Sequence, residues 1–542
     1  MSHPTSLPSA QPGSMRRPVT GRGLAAAAGV AAGSVVLGVA DLLAQAVAPS
    51  ASPVVAVGEA FIDRTPGALK DVAIRTFGSH DKQALLLGMA AVLLALTAAT
   101  GLLARRRAAL GQAAAVLLGA VAAGAALSRP GATPAWALPA ATGTLAGCAA
   151  LRLLLPGRRG EGRRHPAAAA PAGEDGRDES APTRRRSVLA VAGVSALAVL
   201  TGGAGRVLAA TRRLTRGPAD LTLPPPASPA AAVPAGATLD GDAALTAGGL
   251  TPFATPVADF YRVDTALVVP RIDAAGWRLR VHGDVERELD LDIDDVLALP
   301  LVERWITLTC VSNEVGGTLA GNQRWLGARL ADLLATARPR PGADMVLSTS
   351  ADGWTASTPL AALTDGRDAL LAVGMDGAAL PFEHGFPVRM VVPGLYGFVS
   401  ATKWLVDLEV TRFDRAQAYW TRRGWSPQAP IKTFSRIDVP RAFATVAPGE
   451  VRVGGVAWAQ HRGLRGVEVR VDGGTWQPAR VTSGGGLDTW AQWSWTWPDA
   501  TPGTHTLQVR ATDATGGTQP EQRRPPKPDG ATGWHSVSVR VR

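Results

Sequence analysis

Two stretches decide how the rest of the chain is read. One is Trp305-Ile-Thr-Leu-Thr-Cys310-Val-Ser-Asn313-Glu314-Val315-Gly-Gly317. The other is His384-Gly-Phe-Pro-Val-Arg389-Met-Val-Val-Pro393-Gly394-Leu-Tyr396-Gly397-Phe-Val-Ser400-Ala-Thr-Lys403-Trp404. The first is a strand-like run that ends on a cysteine and opens a loop. Cys310 is one of two cysteines in the chain, and the other, Cys148, lies far upstream in an apolar run. A lone cysteine either packs as a small hydrophobe or serves as a thiolate for a soft metal. Outside the cell a free thiol is an oxidation hazard, and a bound metal removes it. The second stretch sets His384, Arg389, Ser400 and Lys403 around glycine turns. Glycine lets backbone N–H groups approach an anion, Arg389 can fork onto phosphate oxygens, and Lys403 adds a point charge. Each would singly read as a surface charge; together they read as an anion site. It is not a P-loop, because Gly-x4-Gly-Lys is absent.

Both stretches fall in a segment, residues 246–430, that mixes strand-like alternation (Trp277-Arg-Leu-Arg-Val-His282) with helix-like patches at 293–298 and 326–335 and turns at Asp352-Gly353 and Asp376-Gly377. That mixture predicts an α+β domain. Residues 431–542 alternate by two in runs such as 467–471, 491–497, 505–509 and 535–541, with Gly-rich turns between them. Their length and spacing predict an immunoglobulin-like β-sandwich, without the cysteine pair of antibody domains. Residues 218–245 are rich in Pro and Ala and predict an extended linker.

The first 217 residues read as a membrane anchor. Five apolar stretches, 23–47, 83–104, 108–127, 132–155 and 188–210, are long enough to cross a bilayer as helices. Short-loop basic residues, Arg16, Arg17, Arg22, Arg105, Arg106, Arg107 and the arginines of 158–186, fall on one side if the N-terminus is cytoplasmic. Everything after the fifth span is then extracytoplasmic. The charge split agrees: there are 24 basic and 10 acidic residues up to Gly217, and 31 and 34 thereafter. The acidic C-terminal balance excludes a nucleic-acid-binding face there. Thr183-Arg-Arg-Arg-Ser-Val-Leu189 reads either as a twin-arginine export signal or as a plain basic flank. No span contains a His and no Cys-x-x-Cys-His occurs, so no haem is expected in this chain.

The strand-Thr-Leu-Thr-Cys-x-x-Asn element, followed in this order by His-Gly-Phe-Pro-Val-Arg-x-Val-Val-Pro-Gly, resembles the sulfite oxidase family of molybdenum–molybdopterin enzymes, and the apolar N-terminal part suits the membrane-anchored bacterial type. The resemblance runs from about Pro252 to the C-terminus. It implies that Cys310 is the thiolate ligand to molybdenum and that Tyr261, Arg262, His384, Arg389, Ser400 and Lys403 hold the pterin and its phosphate. It places Asn313, Thr355 and Ser357 near the same group, and it puts Trp325 and Trp425 at the substrate pocket. The β-sandwich of the family often mediates dimers, so a homodimer is implied. One departure stands out: where the family loop continues Gly-Asn-Arg after the Cys, this chain has Val-Ser-Asn313-Glu314, and a carboxylate would repel an anionic substrate. Arg422 and Arg423 could restore positive charge.

The implied chemistry is two-electron oxygen-atom transfer on a small sulfur oxyanion, with Arg262 as the cation that binds or polarises it. Electrons would pass to a separate cytochrome or quinone-linked partner. A pterin enzyme must fold before export, which favours the twin-arginine reading. Two alternatives are a sulfoxide reductase on the same fold, acting on methionine-sulfoxide-type substrates, and a metal-free membrane-anchored binding protein.

Overall fold

The computed structural model describes residues 21–65, 69, 76, 81–129, 132–155, 191–196, 200, 201, 203 and 216–542. The chain divides into two compact units, Met1–Arg212 and Arg213–Arg542.

The first unit is helical: α1 (Gly21–Val47), α2 (Pro53–Arg64), α3 (Asp81–Arg106), α4 (Ala108–Leu127) and α5 (Leu138–Leu154). Four stretches, Gly21–Val47, Gln83–Arg106, Ala108–Leu127 and Pro134–Leu154, are long and apolar enough to cross a membrane. Leu87 and Leu145 are 72% and 71% exposed. Outward-facing leucines of this kind are compatible with a lipid surround, where apolar surface carries no penalty. Small residues set the helix spacing. A Cβ on Gly29 would lie 2.1 Å from the Thr97 carbonyl oxygen, and one on Gly101 would lie 2.1 Å from that of Ala25, so the backbones of α1 and α3 touch. Arg129 pairs with Glu59 at 3.2 Å and Asp63 at 2.6 Å. The fifth expected span, 188–210, lies largely outside the described residues, as do the basic loop 157–182 and the twin arginines of 183–189.

The second unit opens on ten strands. β1 (Leu279–Gly283), β2 (Leu289–Leu291), β5 (Met345–Ser350), β6 (Thr355–Pro359) and β10 (Leu405–Thr411) form a sheet in the order β2-β1-β10-β5-β6. β3 (Leu301–Thr309), β4 (Ala320–Arg329), β7 (Leu370–Met375) and β8 (Ala378–Ala379) form a second sheet in that order, and β9 (Arg389–Val391) also pairs with β7. Helix α6 (Leu330–Ala337) follows β4 directly and buries Leu330, Leu333, Leu334 and Ala337, the i, i+3, i+4, i+7 stripe of a core-facing helix. All six residues of β7 are buried. Covering on both sides explains why its sequence, Leu-Leu-Ala-Val-Gly-Met, shows no polar alternation. One mixed sheet, in which β1 and β10 run parallel, and one antiparallel sheet, with short helices between them, make this an α+β arrangement.

The C-terminal part is all β. β11 (Phe434–Val439), β13 (Gly449–Trp458), β17 (Ala491–Ala500) and β16 (Arg480–Val481) form one sheet. β12 (Thr445–Val446), β19 (His535–Val541), β18 (Gly503–Asp513), β14 (Leu464–Val471) and β15 (Gln477–Pro478) form the other. Val453, Trp493 and Trp497 of the first share one core with Val467, Val469, Leu507, Val509, Val537 and Val539 of the second. Period-two alternation holds in β14, β18 and β19 of the second sheet, whereas β13 and β17 bury consecutive residues over Gly454–Trp458 and Ala491–Ser494, so the expected alternation over 491–497 is replaced there by burial on both faces.

The Pro/Ala-rich segment is extended, but it is docked rather than free. Ala227 N–H donates to the Leu301 carbonyl at 2.8 Å, Glu303 N–H donates to that of Ser228 at 2.9 Å, and Trp305 Nε1–H donates to that of Ala231 at 2.9 Å. It lies along β3 because β3 is otherwise an edge strand, with backbone groups that need partners.

Candidate active site

Cys310 stands where the β3–β4 ladder ends. The last register pair is Thr309 with Ala320, so residues 310–319 must leave the sheet as a loop. The loop closes on itself: Cys310 N–H donates to Leu319 O at 2.9 Å, Asn313 N–H to Cys310 O at 3.0 Å, and Gly317 N–H to Glu314 O at 2.8 Å. Asn313 Oδ1 accepts from Leu319 N–H at 2.8 Å. Cys310 is 8% exposed. Burial pushes its thiol up, while the Ser312 backbone N–H and side chain at the sulfur oppose that rise.

The second stretch brings its cations to the same neighbourhood. Arg389 begins β9, and its guanidinium lies 5.0 Å from the Trp325 ring centre. Its hydrogen bonds go only to carbonyl oxygens: His384 at 3.1 Å, Met390 at 3.4 Å and Ala401 at 3.4 Å. Among the described residues no carboxylate pairs with it. Burial therefore pulls it down to about 10, with Tyr261 opposing. Lys403 Nζ lies 2.6 Å from Asp264 Oδ2 and 3.1 Å from the Glu383 carbonyl, and burial pulls it down to about 8 against the pull of Asp264. Arg262 Nε shares that carboxylate at 2.8 Å. Two cations, Lys403 and Arg262, thus share the Asp264 carboxylate, while Arg389 has no carboxylate partner among the described residues. Gly385, at φ +107, makes the crossing possible: a Cβ there would lie 3.0 Å from Lys403 Cβ and 3.1 Å from Arg389 Cβ.

His384 is buried, with Nε2 3.2 Å from the Val257 carbonyl. Burial and the Arg389 charge pull it down to about 4, so at neutral pH it is an uncharged donor to that carbonyl. Tyr261 stacks on Phe260 at 5.3 Å. Burial raises its phenol, Cys310 adds to the rise and Arg389 opposes it. Tyr261, Cys310 and Arg389 therefore share one electrostatic neighbourhood.

Four unpartnered buried polar atoms on these segments are compatible with a polar anionic group held there. The buried Thr309 Oγ1, Asn313 Nδ2, Ser350 Oγ and Ser357 Oγ have no hydrogen-bond partner. Buried polar atoms are rarely left so. They stand at the end of β3, in the Cys loop and on the β5–β6 pair. A soft thiolate, a buried guanidinium without a carboxylate and unpaired hydroxyl and amide groups suit a pterin phosphate whose metal takes a sulfur ligand.

Several expected residues already have partners within the chain. The Ser400 hydroxyl donates to the Leu395 and Tyr396 carbonyls at 3.1 and 3.0 Å, so it closes a turn. Trp325 Nε1–H is taken by the Ile306 carbonyl at 3.1 Å, so the fully buried ring serves as a platform for Arg389. Thr355 Oγ1 accepts from Tyr419 N–H at 3.0 Å. Trp425 joins an aromatic cluster with Phe398 at 5.7 Å and Trp420 at 6.0 Å. Glu314 is exposed. Of the two compensating arginines, Arg422 is exposed and Arg423 lies 3.6 Å over the Tyr419 ring. Tyr396, between Gly394 and Gly397 in the second quoted stretch, belongs to the same neighbourhood. It is buried, and Cys310 is among the groups that push its phenol up.

The oxidoreductase molybdopterin-binding domain family matches residues 266–420, which include Cys310, His384, Arg389 and Lys403. The chain is 31% identical to the sulfite oxidase of Gallus gallus over 323 residues, covering 50% of this chain and 69% of that one. It is 33% identical to the uncharacterised oxidoreductase YuiH of Bacillus subtilis over 153 residues, covering 28% and 74%. It is 34% identical to the mitochondrial sulfite oxidase of Mus musculus over 298 residues, covering 47% and 52%. The chain thus spans about half the length of the mammalian relatives it matches. It belongs to the sulfite oxidase family of molybdopterin-dependent oxidoreductases.

Proposed function

We propose that the chain is a membrane-anchored, extracytoplasmic oxidoreductase that oxidises a small sulfur oxyanion and passes the electrons to a separate cytochrome or quinone-linked partner. The observation that carries this reading is the convergence of the Cys310 thiol with a buried, carboxylate-free Arg389. The apolar helices of the first unit support the anchor. The proposed domain limits are 1–217, 218–245, 246–430 and 431–542, the last an immunoglobulin-like sandwich that could pair two copies.

In this reading a molybdenum pyranopterin bound at Cys310 supplies a two-electron couple and oxygen-atom transfer. The chain's own residues hold and bias it. The Cys310 thiol gives up its proton on ligation, as metal binding to thiols requires, and the contacts from Ser312 stabilise the resulting thiolate. Arg389 and Lys403 would hold the anionic part of the cofactor, whose negative charge would offset the desolvation that pulls both below their ordinary values. His384 stays neutral and locks the loop by its bond to Val257. Tyr261, Asn313 and Ser357 offer polar atoms to the same group, and Thr355 and Ser400 brace the backbone around it.

Arg262 uses Nε and Nη2 on Asp264 and leaves Nη1 for a substrate oxygen. Trp325, buried under the Arg389 guanidinium, would hold that cation in place, and Trp425, on the Phe398–Trp420 cluster, would shape the approach. The overall step converts sulfite and water to sulfate, two protons and two electrons. Full-length protein from a host that makes the pterin cofactor should reduce two equivalents of ferricyanide per sulfite consumed. Arg262→Met should raise KM for sulfite about tenfold, the range for one charge-assisted hydrogen bond. A molybdenum-loaded protein with no sulfite-dependent reduction would overturn the substrate assignment.

A further inference from the structure

The loop that carries Cys310 is braced from outside its own domain. Arg436, on β11, donates Nη1–H to the Gly317 carbonyl at 2.6 Å, Nη2–H to Thr251 Oγ1 at 2.7 Å and Nε–H to Asp438 Oδ1 at 2.6 Å. The Arg436 and Asp438 side chains are buried. Every donor-bearing nitrogen of the guanidinium is therefore committed, which fixes it more firmly than a point charge could. One residue away, Gly316 takes φ +81, and a Cβ there would lie 2.4 Å from His535 Nε2 and 2.5 Å from its Cδ2. The imidazole of His535 thus packs directly on the loop backbone. Its other nitrogen is held too: Nδ1 accepts from Ile437 N–H at 3.0 Å.

Arg436 belongs to one C-terminal sheet and His535 to the other. The two sheets converge on a single tight turn, Gly316-Gly317, which has no side chains of its own to anchor it. Gly317 is closed in from the opposite side, since a Cβ there would meet Asn313 Oδ1 at 2.7 Å. Asn313 in turn is tied to Cys310 and Leu319. The path from the β-sandwich to the sulfur is short: Arg436 and His535, the 316–317 turn, Asn313, Cys310. A second contact of the same kind exists. His461, at φ +61, follows β13, and a Cβ on Gly394 would lie 2.9 Å from its Cβ. Gly394 leads directly into Leu395 and Tyr396 of the other site loop.

We propose that Arg436 and His535 are positioning residues for the Cys310 sulfur, so that the C-terminal β-domain sets the geometry of the site as well as packing beside it. The proposal rests on the reading of Cys310 as the metal ligand.

The test uses the full-length chain in detergent on a Cys148→Ala background, so that Cys310 is the only thiol. In cofactor-free protein the readout is the rate of Cys310 alkylation by iodoacetamide. Arg436→Lys and His535→Ala, each shown to be folded by circular dichroism, should alkylate at least about tenfold faster than the parent, because a released loop exposes the sulfur. Arg470→Met, which removes an arginine stacked on Trp476 and Trp534 in the same domain, should leave the rate unchanged. In molybdenum-loaded protein the two loop variants should keep their metal but shift the thiolate-to-metal absorption band. Rates within about twofold of the parent in either folded variant, or an equal acceleration by Arg470→Met, would overturn the proposal. Failure of the underlying reading is distinguishable: Cys310→Ser would then leave the metal–sulfur spectrum unaltered.

Discussion

The guanidinium of Arg389 lies 5.0 Å from the ring centre of Trp325 and finds only carbonyl oxygens as partners. A buried cation without an anion is costly to the bare fold and useful to a fold that binds one. Arg389→Met should therefore act in opposite directions on two measurements. Molybdenum and pterin retained per chain should fall about tenfold or more, from the loss of charge-assisted hydrogen bonds. The cofactor-free chain should become more stable, by about 1–3 kcal/mol, because a desolvated charge is removed. Metal analysis and thermal unfolding of the two preparations check both.

Lys403 makes the bare chain sensitive to alkaline pH. Burial holds it near about 8 in the folded state against an ordinary 10.5. Between those values the unfolded chain binds a proton that the folded chain does not. Stability of the cofactor-free protein should therefore rise with pH from about 8 towards 10.5, by up to about 1.4 kcal/mol per pH unit. Lys403→Met should flatten the rise. Urea midpoints at pH 7.5, 8.5 and 9.5 would show it.

Acid sensitivity has the same origin. His384 and His535 are each pulled down to about 4 from 6.5 by burial and a neighbouring arginine. Their contribution is complete above pH 6.5 and is lost as pH falls towards 4, where the unfolded chain takes the protons. Each should remove about 1–3 kcal/mol over that window. His384→Gln and His535→Gln should each reduce the slope of unfolding free energy against pH between 6.5 and 4.

Gly385→Ala should damage the site without touching a charge. The backbone at φ +107 disfavours any side chain, and the new methyl would meet Lys403 and Arg389 at 3.0 and 3.1 Å. A loss of about 1–3 kcal/mol in stability should accompany poorer cofactor retention, read by the same metal analysis.

Much of the site is legible in the sequence because its chemistry is local. Cys310 ends an apolar run, and His384, Arg389 and Lys403 lie within one glycine-punctuated stretch. What escapes is the pairing between stretches. Nothing near Lys403 in sequence announces Asp264, which comes from 139 positions away. Nothing near Gly316 announces His535. Nor does the sequence show that the Ser400 hydroxyl is bonded to the Leu395 and Tyr396 carbonyls, or that the Trp325 N–H is taken by Ile306. Tyr396 carries no charge and no motif letter, so only its burial beside Cys310 reveals it. Apolar helices α1, α3, α4 and α5 are legible from length and composition alone. The docking of 218–245 on β3 is not, because a Pro/Ala-rich composition is the same for a free linker and an edge-covering strand.

The most direct test of the central claim is the sulfur shell of the metal. Full-length protein and its Cys310→Ser variant would be purified from a host that makes the pterin cofactor, then compared by metal analysis and X-ray absorption. The account predicts roughly one molybdenum per parent chain, with one sulfur neighbour fewer in the variant while the pterin remains. A folded parent without molybdenum, or an identical sulfur shell in both proteins, would contradict it.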